Sequence, residues 1–355
     1  MNILKKNICR LVTLSVAGLL CLSACKKSTT PSPLEDQNNL SLSCINPANT
    51  PMTANALPST ALIAYVETNN NNLNNMGLFT LSGVNSAKNG LPIVNVACIF
   101  AGNINLSQEA TPKAVVSLNA QTYYLLEKTD YVKKLHEKGI KVTLSLLNNH
   151  DASGWSQFTS QADADYFAKS VKATVDKYSL DGVEVDNEYS NGIPNDKSMP
   201  MVIAAIRKLL PTKIIGLYLF NVSDTEIKNS ASSITYAITN FGGTFTGNDI
   251  PANKIFVESS SLDIADNTAS AIKNKGGGVM LFNANGGSRS DFNSFATNVY
   301  GSKAKVSSTA LATDGPDNGN SPVVSIDKNS DGSIKDVHYY VLPTATGTAN
   351  VMRSK

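Results

Sequence analysis

Short apolar runs rich in β-branched residues alternate with amphipathic stretches over residues 60–300. The runs have the length of buried strands, and many of the stretches between them repeat apolar positions at helical spacing. The predicted strands cover residues 61–66, 93–100, 140–147, 182–188, 213–220, 234–238, 254–257 and 278–282. The predicted helices cover residues 123–138, 162–178, 199–210, 262–275 and 291–300. Such alternation indicates parallel strands joined by helical crossovers.

Eight strands within about 240 residues match a closed (β/α)8 barrel, the TIM barrel, in both count and length. An open doubly wound sheet is the main alternative. The glycines at 242–243 and 276–278 lack the spacing of a phosphate-binding loop, and we interpret them as turns. The sequence therefore predicts an α/β fold, a single-domain TIM barrel over residues 59–305.

The two ends of the chain depart from this pattern. Residues 1–24 join a basic start to an apolar stretch at 11–22, which is too short to span a bilayer and is typical of a secretory signal. Leu22-Ser23-Ala24-Cys25 is similar to a bacterial lipobox, so we expect acylation of Cys25 to anchor the chain in the bacterial cell envelope. A plain signal peptide is the alternative, and the membrane face stays open.

Two further segments flank the predicted barrel. Residues 25–58 are rich in Ser, Thr, Pro and Asn, and we interpret them as a flexible tether. Residues 306–355 form a C-terminal appendix, in which 323–341 predict a β-hairpin around the turn at 329–332.

Charge and composition exclude several classes of function. Only 16% of the residues are charged, and the formal net charge is +2. It falls to about −1 without Lys5, Lys6 and Arg10 of the predicted signal, so no nucleic-acid partner is expected. The three histidines fall in separate segments, and we predict no metal site and no cofactor. We expect a monomer.

The candidate chemistry lies in residues 178–189, which read YSLDGVEVDNEY. On a strand, Val183 and Val185 face the outer helices, whereas Glu184, Asp186 and Glu188 face the barrel interior. Three stacked carboxyl groups are costly to ionise together, because each charge raises the pKa of its neighbours. An acid held protonated at the mouth of a barrel is what glycosidic bond cleavage requires. The alternative is a solvated edge strand that carries a chance run of acids.

The spacing of two of these acids indicates a mechanism. Asp186 and Glu188 are two residues apart, so their Cα atoms are about 6.7 Å apart and both approach a sugar from the same side. Ordinary two-carboxylate hydrolysis uses opposite faces of the ring. A same-side pair suits a substrate that supplies its own nucleophile, the acetamido oxygen of N-acetylglucosamine. Glu188 would protonate the leaving oxygen and later activate water, while Asp186 would orient the acetamido group, with retention of configuration.

Residues 181–188 resemble the D-G-x-D-x-D-x-E signature of glycoside hydrolase family 18. In the same order along the chain, further segments are similar to bacterial endo-β-N-acetylglucosaminidases of the endoglycosidase H and F type. These segments are 64–71, 99–105, 139–150, 236–243 and 277–282. The resemblance implies a TIM-barrel enzyme that cuts the diacetylchitobiose core of high-mannose or hybrid N-linked glycans. A chitinase-like hydrolase of chitooligosaccharides and a catalytically weak glycan-binding barrel are the alternatives.

Three positions depart from the family pattern. Glu184 stands where the wider family usually has Asp, and Asn148 replaces a glycine near the third strand. Phe241 stands where relatives carry an aromatic hydroxyl near the acetamido group, and it has no hydroxyl to donate. Asn148 and Phe241 are the features that favour the glycan-binding alternative.

Besides the catalytic pair Glu188 and Asp186, we predict substrate-binding side chains at the strand ends. They are Glu184, Glu67, Asn103, Tyr218, Asn240 and Phe241. Trp155, the only tryptophan, is weighed both as a glycan contact and as a core residue.

Overall fold

The computed structural model describes residues 56–241, 243, 249–311 and 320–342. The predicted signal, Cys25, most of the predicted tether and Gly242 lie outside these ranges. The strands are β1 (Ala61–Glu67), β2 (Phe79–Ser82), β3 (Val96–Leu106), β4 (Ala114–Leu118), β5 (Lys141–Asn148), β6 (Gly182–Asp186), β7 (Ile214–Tyr218), β8 (Tyr236–Thr239), β9 (Ile255–Ser259), β10 (Gly278–Leu281), β11 (Lys305–Ser308), β12 (Val323–Lys328) and β13 (Ile334–Tyr340).

Eight of these strands form a closed parallel barrel, which confirms the predicted TIM barrel. Strands β1, β3 and β5 to β10 pair in chain order, and β10 pairs with β1 to close the sheet. Each of the eight predicted apolar runs overlaps one barrel strand. The register places the carboxyl ends of all eight strands at one mouth of the barrel, where a TIM barrel carries its active site.

The helices are α1 (Ala120–Lys128), α2 (Tyr131–Glu137), α3 (Gln161–Lys177), α4 (Ser198–Leu209), α5 (Asp224–Ser230), α6 (Ile264–Asn274) and α7 (Arg289–Tyr300). The prediction of one helix over 123–138 is wrong, because the backbone is extended at Thr129 between α1 and α2. The Thr129 hydroxyl donates to the Leu125 carbonyl at 2.6 Å and so completes the end of α1. None of the helices in the described ranges is both long and apolar enough to cross a membrane.

The alternation along the barrel strands divides their side chains between two cores. Val183 and Val185 of β6 pack outward with the helices, as predicted. The inward faces form a second cluster of Ala61, Ile63, Tyr65, Val96, Cys98, Ile214, Tyr218, Tyr236, Ile238, Phe256 and Met280. Because this cluster fills the barrel, an acid on an inward face lies either buried within it or at the mouth above it.

Outside the barrel, the described ranges contain three antiparallel pairings between strands. β4 pairs with the end of β3, which extends past the mouth, and β2 pairs with β11. β12 and β13 form a hairpin in the segment for which the sequence predicts one. The extension of β3 adds a wall on one side of the mouth.

Candidate active site

A cavity of about 220 Å³ opens at the carboxyl ends of the barrel strands. Five of the predicted site residues line it together, namely Glu67, Asp186, Glu188, Tyr218 and Phe241. The lining also includes Tyr65, Phe100, Tyr189, Glu258, Met280 and Phe282. The cavity therefore combines carboxyl groups with aromatic walls, as sugar-binding sites of enzymes do.

Asp186 and Glu188 lie at the end of the strand that carries the acidic run. β6 ends at Asp186, two residues earlier than predicted, and Glu188 reaches the cavity from the loop that follows. Asp186 is only 2% exposed, and its Oδ1 has no hydrogen-bond partner among the described residues. Burial, together with the charges of Glu188 and Glu258, raises the pKa of Asp186 well above its usual range.

Glu184 lies deeper in the same strand, fully buried and closed off from the cavity. It accepts hydrogen bonds from the Tyr236 hydroxyl at 2.5 Å and the Thr143 hydroxyl at 3.0 Å. Burial raises the pKa of Glu184 to about 7, although nearby hydroxyl groups oppose the shift. On the neighbouring strand, a Cβ at Gly216 would stand 1.6 Å from Glu184 Oε2, so only glycine leaves room for this carboxyl group. The prediction of Glu184 as a substrate-binding residue is wrong, because its side chain is fully buried and lines neither cavity.

Glu258, on β9, is a site residue that the sequence analysis missed. Its Oε2 accepts hydrogen bonds from the Tyr218 hydroxyl at 2.7 Å and from the backbone N–H of Phe241 at 3.2 Å. Burial raises the pKa of Glu258, while these two donors lower it. The signal was available, since period two along β9 places Phe256 and Glu258 on the inward face.

Two further predicted residues, Asn240 and Phe241, lie next to the hydrogen bonds of Tyr218 and Glu258. Asn240 does not line the cavity, but its Oδ1 lies 3.1 Å from the Tyr218 hydroxyl. The Phe241 ring is 74% exposed and stands at the cavity rim. Tyr218 brings a hydroxyl group to the same cavity, and the proton of that hydroxyl is donated to Glu258.

A second cavity, of about 770 Å³, adjoins the first and shares Glu67, Phe100 and Tyr189 with it. Asn103, another predicted residue, lines this second space. The remaining lining is Asn69, Ala101, Asn119, Leu147, Asn148, Asn149, His150 and Ser321. Five of the twelve lining residues are asparagines, whose amides carry both donors and acceptors of the kind that bind the hydroxyl groups of a neutral sugar.

Asn148 joins the loops that follow two neighbouring strands. It is buried, its Oδ1 accepts from the backbone N–H of Trp155 at 3.0 Å, and its Nδ2 donates to Asn187 Oδ1 at 3.2 Å. Trp155 itself is fully buried, and its indole N–H donates to the Leu146 carbonyl at 2.8 Å. The interpretation of Trp155 as a glycan contact is wrong, because its ring and its one donor are both satisfied in the core.

The described residues contain no group of three His, Cys, Asp or Glu side chains arranged to hold a metal ion. The ionisable groups that line the two cavities are carboxyl groups, tyrosine hydroxyls and the His150 imidazole, all of which can hold and transfer protons.

Comparison with known proteins finds similar chains and a similar fold. The family model of the endo-β-N-acetylglucosaminidase EndoS TIM-barrel domain matches residues 94–242. An endo-β-N-acetylglucosaminidase of Flavobacterium sp. (strain SK1022) is 37% identical over 263 residues, covering 68% of this chain and 81% of that protein. Endo-β-N-acetylglucosaminidase F1 of Elizabethkingia meningoseptica is 31% identical over 318 residues, covering 79% of this chain and 90% of that protein.

A solved structure shares the fold. Bacteroides thetaiotamicron EndoBT-3987, determined with a Man5GlcNAc product, superposes with a TM-score of 0.60 at 23% identity. The match covers 72% of this chain but only 63% of that one. A second structure of EndoBT-3987 holds a Man9GlcNAc2Asn substrate, and it matches at a TM-score of 0.60 and 22% identity, covering 72% of this chain and 68% of that one.

Proposed function

This chain belongs to the family of endo-β-N-acetylglucosaminidases, which are glycoside hydrolases, and we propose that it cleaves N-linked glycans of the high-mannose or hybrid type. The bond cut is the one between the two N-acetylglucosamines of the diacetylchitobiose core. The glycans held by EndoBT-3987 support this choice of substrate. The observation that carries the proposal is the neighbouring pair Asp186 and Glu188 in one cavity at the barrel mouth.

The reaction uses the acetamido group of the substrate as its nucleophile. Glu188 protonates the glycosidic oxygen while the acetamido oxygen attacks C1, so that one C–O bond breaks as another forms and an oxazolinium-like intermediate results. Glu188, now a carboxylate, takes a proton from water, and the water oxygen attacks C1 and reopens the ring. Two inversions at C1 give overall retention.

Asp186 suits the role of partner to the acetamido group. It lines the cavity beside Glu188, and its Oδ1 is a buried acceptor with no hydrogen-bond partner among the described residues. The positive charge of the intermediate develops close to Asp186, and burial together with the charges of Glu188 and Glu258 raises the pKa of this carboxyl group, so its ionised form is disfavoured when no cation is near. A cation in this position favours the ionised carboxylate, and the negative charge of that carboxylate stabilises the cation in turn.

The second cavity suits the mannose-bearing part of the glycan. It is several times larger than a single sugar requires, and it opens directly beside the catalytic cavity through Glu67, Phe100 and Tyr189. Its amides can exchange hydrogen bonds with hydroxyl groups, and the two aromatic rings offer apolar faces to sugar rings.

One incubation tests the proposal. The domain from residue 56 onward is mixed with a high-mannose glycoprotein, and the products are weighed by mass spectrometry. A single N-acetylglucosamine left on asparagine supports the proposal. Intact glycoprotein together with cleaved chitooligosaccharide would instead favour a chitinase, and retention of the glycan without cleavage would favour a binding protein.

The lipobox at residues 22–25 supports a second proposal, that Cys25 carries a lipid which holds the enzyme in the bacterial cell envelope. Expression in a bacterial host with labelled palmitate tests it. Label on the chain is expected, and Cys25→Ala should abolish both the label and membrane recovery. Equal membrane recovery of the two forms would contradict the anchor.

A further inference from the structure

The hairpin of β12 and β13 packs against the outside of the barrel. Two side chains of β13 face the barrel domain: Val337 is fully buried, and Tyr339 is 6% exposed. The Tyr339 hydroxyl donates to the Val116 carbonyl at 3.1 Å and lies 2.9 Å from the Thr174 hydroxyl. Since Val116 belongs to β4 and Thr174 to α3, the hairpin is fixed to two separate elements of the barrel domain.

The far end of β12 is held as well. Lys328 forms an ion pair with Glu109 at 2.5 Å and lies 5.8 Å from the centre of the Tyr166 ring. The Tyr166 hydroxyl donates to the same Glu109 carboxylate at 3.1 Å. Although a half-exposed ion pair adds little stability, these contacts hold the turn end of the hairpin against the barrel domain, while Tyr339 holds the end at which the chain enters.

The chain that enters the hairpin lies at the second cavity. Ser321 is exposed two residues before β12, and it lines the 770 Å³ cavity together with Asn103 and Asn149. Asn103 on β3 pairs with Ser117 on β4, the residue next to Val116. The strand β4, to which the hairpin is hydrogen-bonded, is therefore itself paired with β3, the strand that carries Asn103. Ser321 and Asn103, which both line the second cavity, are thus connected through β4.

We propose that the C-terminal hairpin is part of the substrate-binding site, and that Ser321 forms an outer wall of the second cavity that limits the size of the glycan branch. The inference rests on the proposed function, because it assigns the second cavity to the branched part of the glycan. A serine suits this place, since its hydroxyl can bond a sugar and its small size leaves the cavity open. The segment that the sequence presents as an appendix thereby gains a role in specificity.

The test places a large side chain on this wall. Ser321→Trp is compared with Ser330→Trp, an equally exposed serine in the hairpin turn away from the cavity. Both are made in the Glu188→Gln background, so that binding is measured without turnover. Calorimetry then gives the dissociation constants of a Man9GlcNAc2Asn glycopeptide and of diacetylchitobiose, which carries no mannose branch.

Ser321→Trp is expected to weaken binding of the branched glycopeptide by roughly tenfold or more and to leave diacetylchitobiose unaffected. Ser330→Trp should alter neither. Equal affinity of Ser321→Trp and Ser330→Trp for the branched glycopeptide would overturn the inference, as would equal losses for both probes. Should the active chain cleave no glycoprotein while the binding difference persists, the proposed function fails and the role of Ser321 stands.

Discussion

The backbone N–H of His150 donates a 2.8 Å hydrogen bond to the carbonyl oxygen of Tyr189, and both residues have left-handed backbones, with φ of 58° and 62°. Their rings lie 5.2 Å apart. Each left-handed non-glycine residue costs about 1–2 kcal/mol, so the surrounding fold must impose the conformation. Since Tyr189 directly follows Glu188, this strained pair fixes the loop that presents the catalytic acid.

The strain at Tyr189 predicts a difference between two small replacements. Tyr189→Ala and Tyr189→Gly both remove the ring from the cavities and should lower kcat/KM by a similar factor, roughly tenfold. Glycine adopts the left-handed backbone without the steric cost that a Cβ brings, so Tyr189→Gly should be about 1 kcal/mol more stable than Tyr189→Ala. Urea unfolding of the two variants measures this difference. Equal stabilities would show that the backbone at this position is not strained.

Glu188→Gln should abolish hydrolysis and leave the fold intact. The amide cannot donate a proton to the leaving oxygen as a carboxylic acid does, and loss of general acid catalysis costs roughly 10²–10⁴-fold in rate. Release of glycan from a high-mannose glycoprotein gives the rate, and thermal unfolding gives the stability. The Tm should match that of the unmodified chain because Glu188 is only half-buried. Near-normal turnover would refute the assignment of the acid.

Glu258→Gln should shift the acidic limb of the pH–rate profile to lower pH. The charge of Glu258 helps to raise the pKa of Asp186, and a neutral amide removes that charge while still accepting from Tyr218. Asp186 must be ionised to stabilise the intermediate, so a lower pKa of Asp186 keeps the enzyme active in more acid solution. A limb at unchanged pH in Glu258→Gln, with Asp176→Asn on α3 as a surface control, would contradict this coupling.

Glu184 predicts a pH dependence of stability. Its folded pKa of about 7 lies above the ordinary value of 4.5, so the native state binds more protons than the unfolded state between these values. The free energy of unfolding therefore falls as pH rises through this window, by about 3 kcal/mol from this group. Glu184→Gln does not titrate, so it should gain about that much relative to the unmodified chain between pH 4 and pH 8. A constant difference across this range would contradict the assignment.

The barrel was predictable from sequence because each parallel strand is buried on both faces and so reads as an apolar run. The small antiparallel pairs β2–β11 and β4 with β3 were missed, because their pairing depends on distant segments that no local pattern reveals. The short helix α5 was readable in principle, since Ser223 and Glu226 form the capping box that begins it.

The catalytic strand was predictable for a different reason. Several carboxyl groups on the inward face of one strand are unfavourable in an apolar core, so they indicate a functional site. Glu258 is also an inward carboxyl group on a barrel strand, but it is a single acid near the end of a short strand, and a single acid does not form a recognisable pattern. The sequence left Trp155 open between two roles, because a lone aromatic residue after a strand is compatible with a sugar platform and with a core. The burial of its ring and the contact of its indole N–H decide for the core.

The contacts of Asn148 also restrict how this family can vary in sequence. A Cβ at Gly154 would stand 2.5 Å from Asn148 Oδ1, so the large residue at one position requires the small residue at the other. Where a relative carries glycine in place of Asn148, the clash disappears and so does the side-chain bridge to Asn187, but the backbone φ of 140° at Gly154 still favours glycine there. Positions 148 and 187 should therefore covary across homologous chains, whereas position 154 should stay glycine.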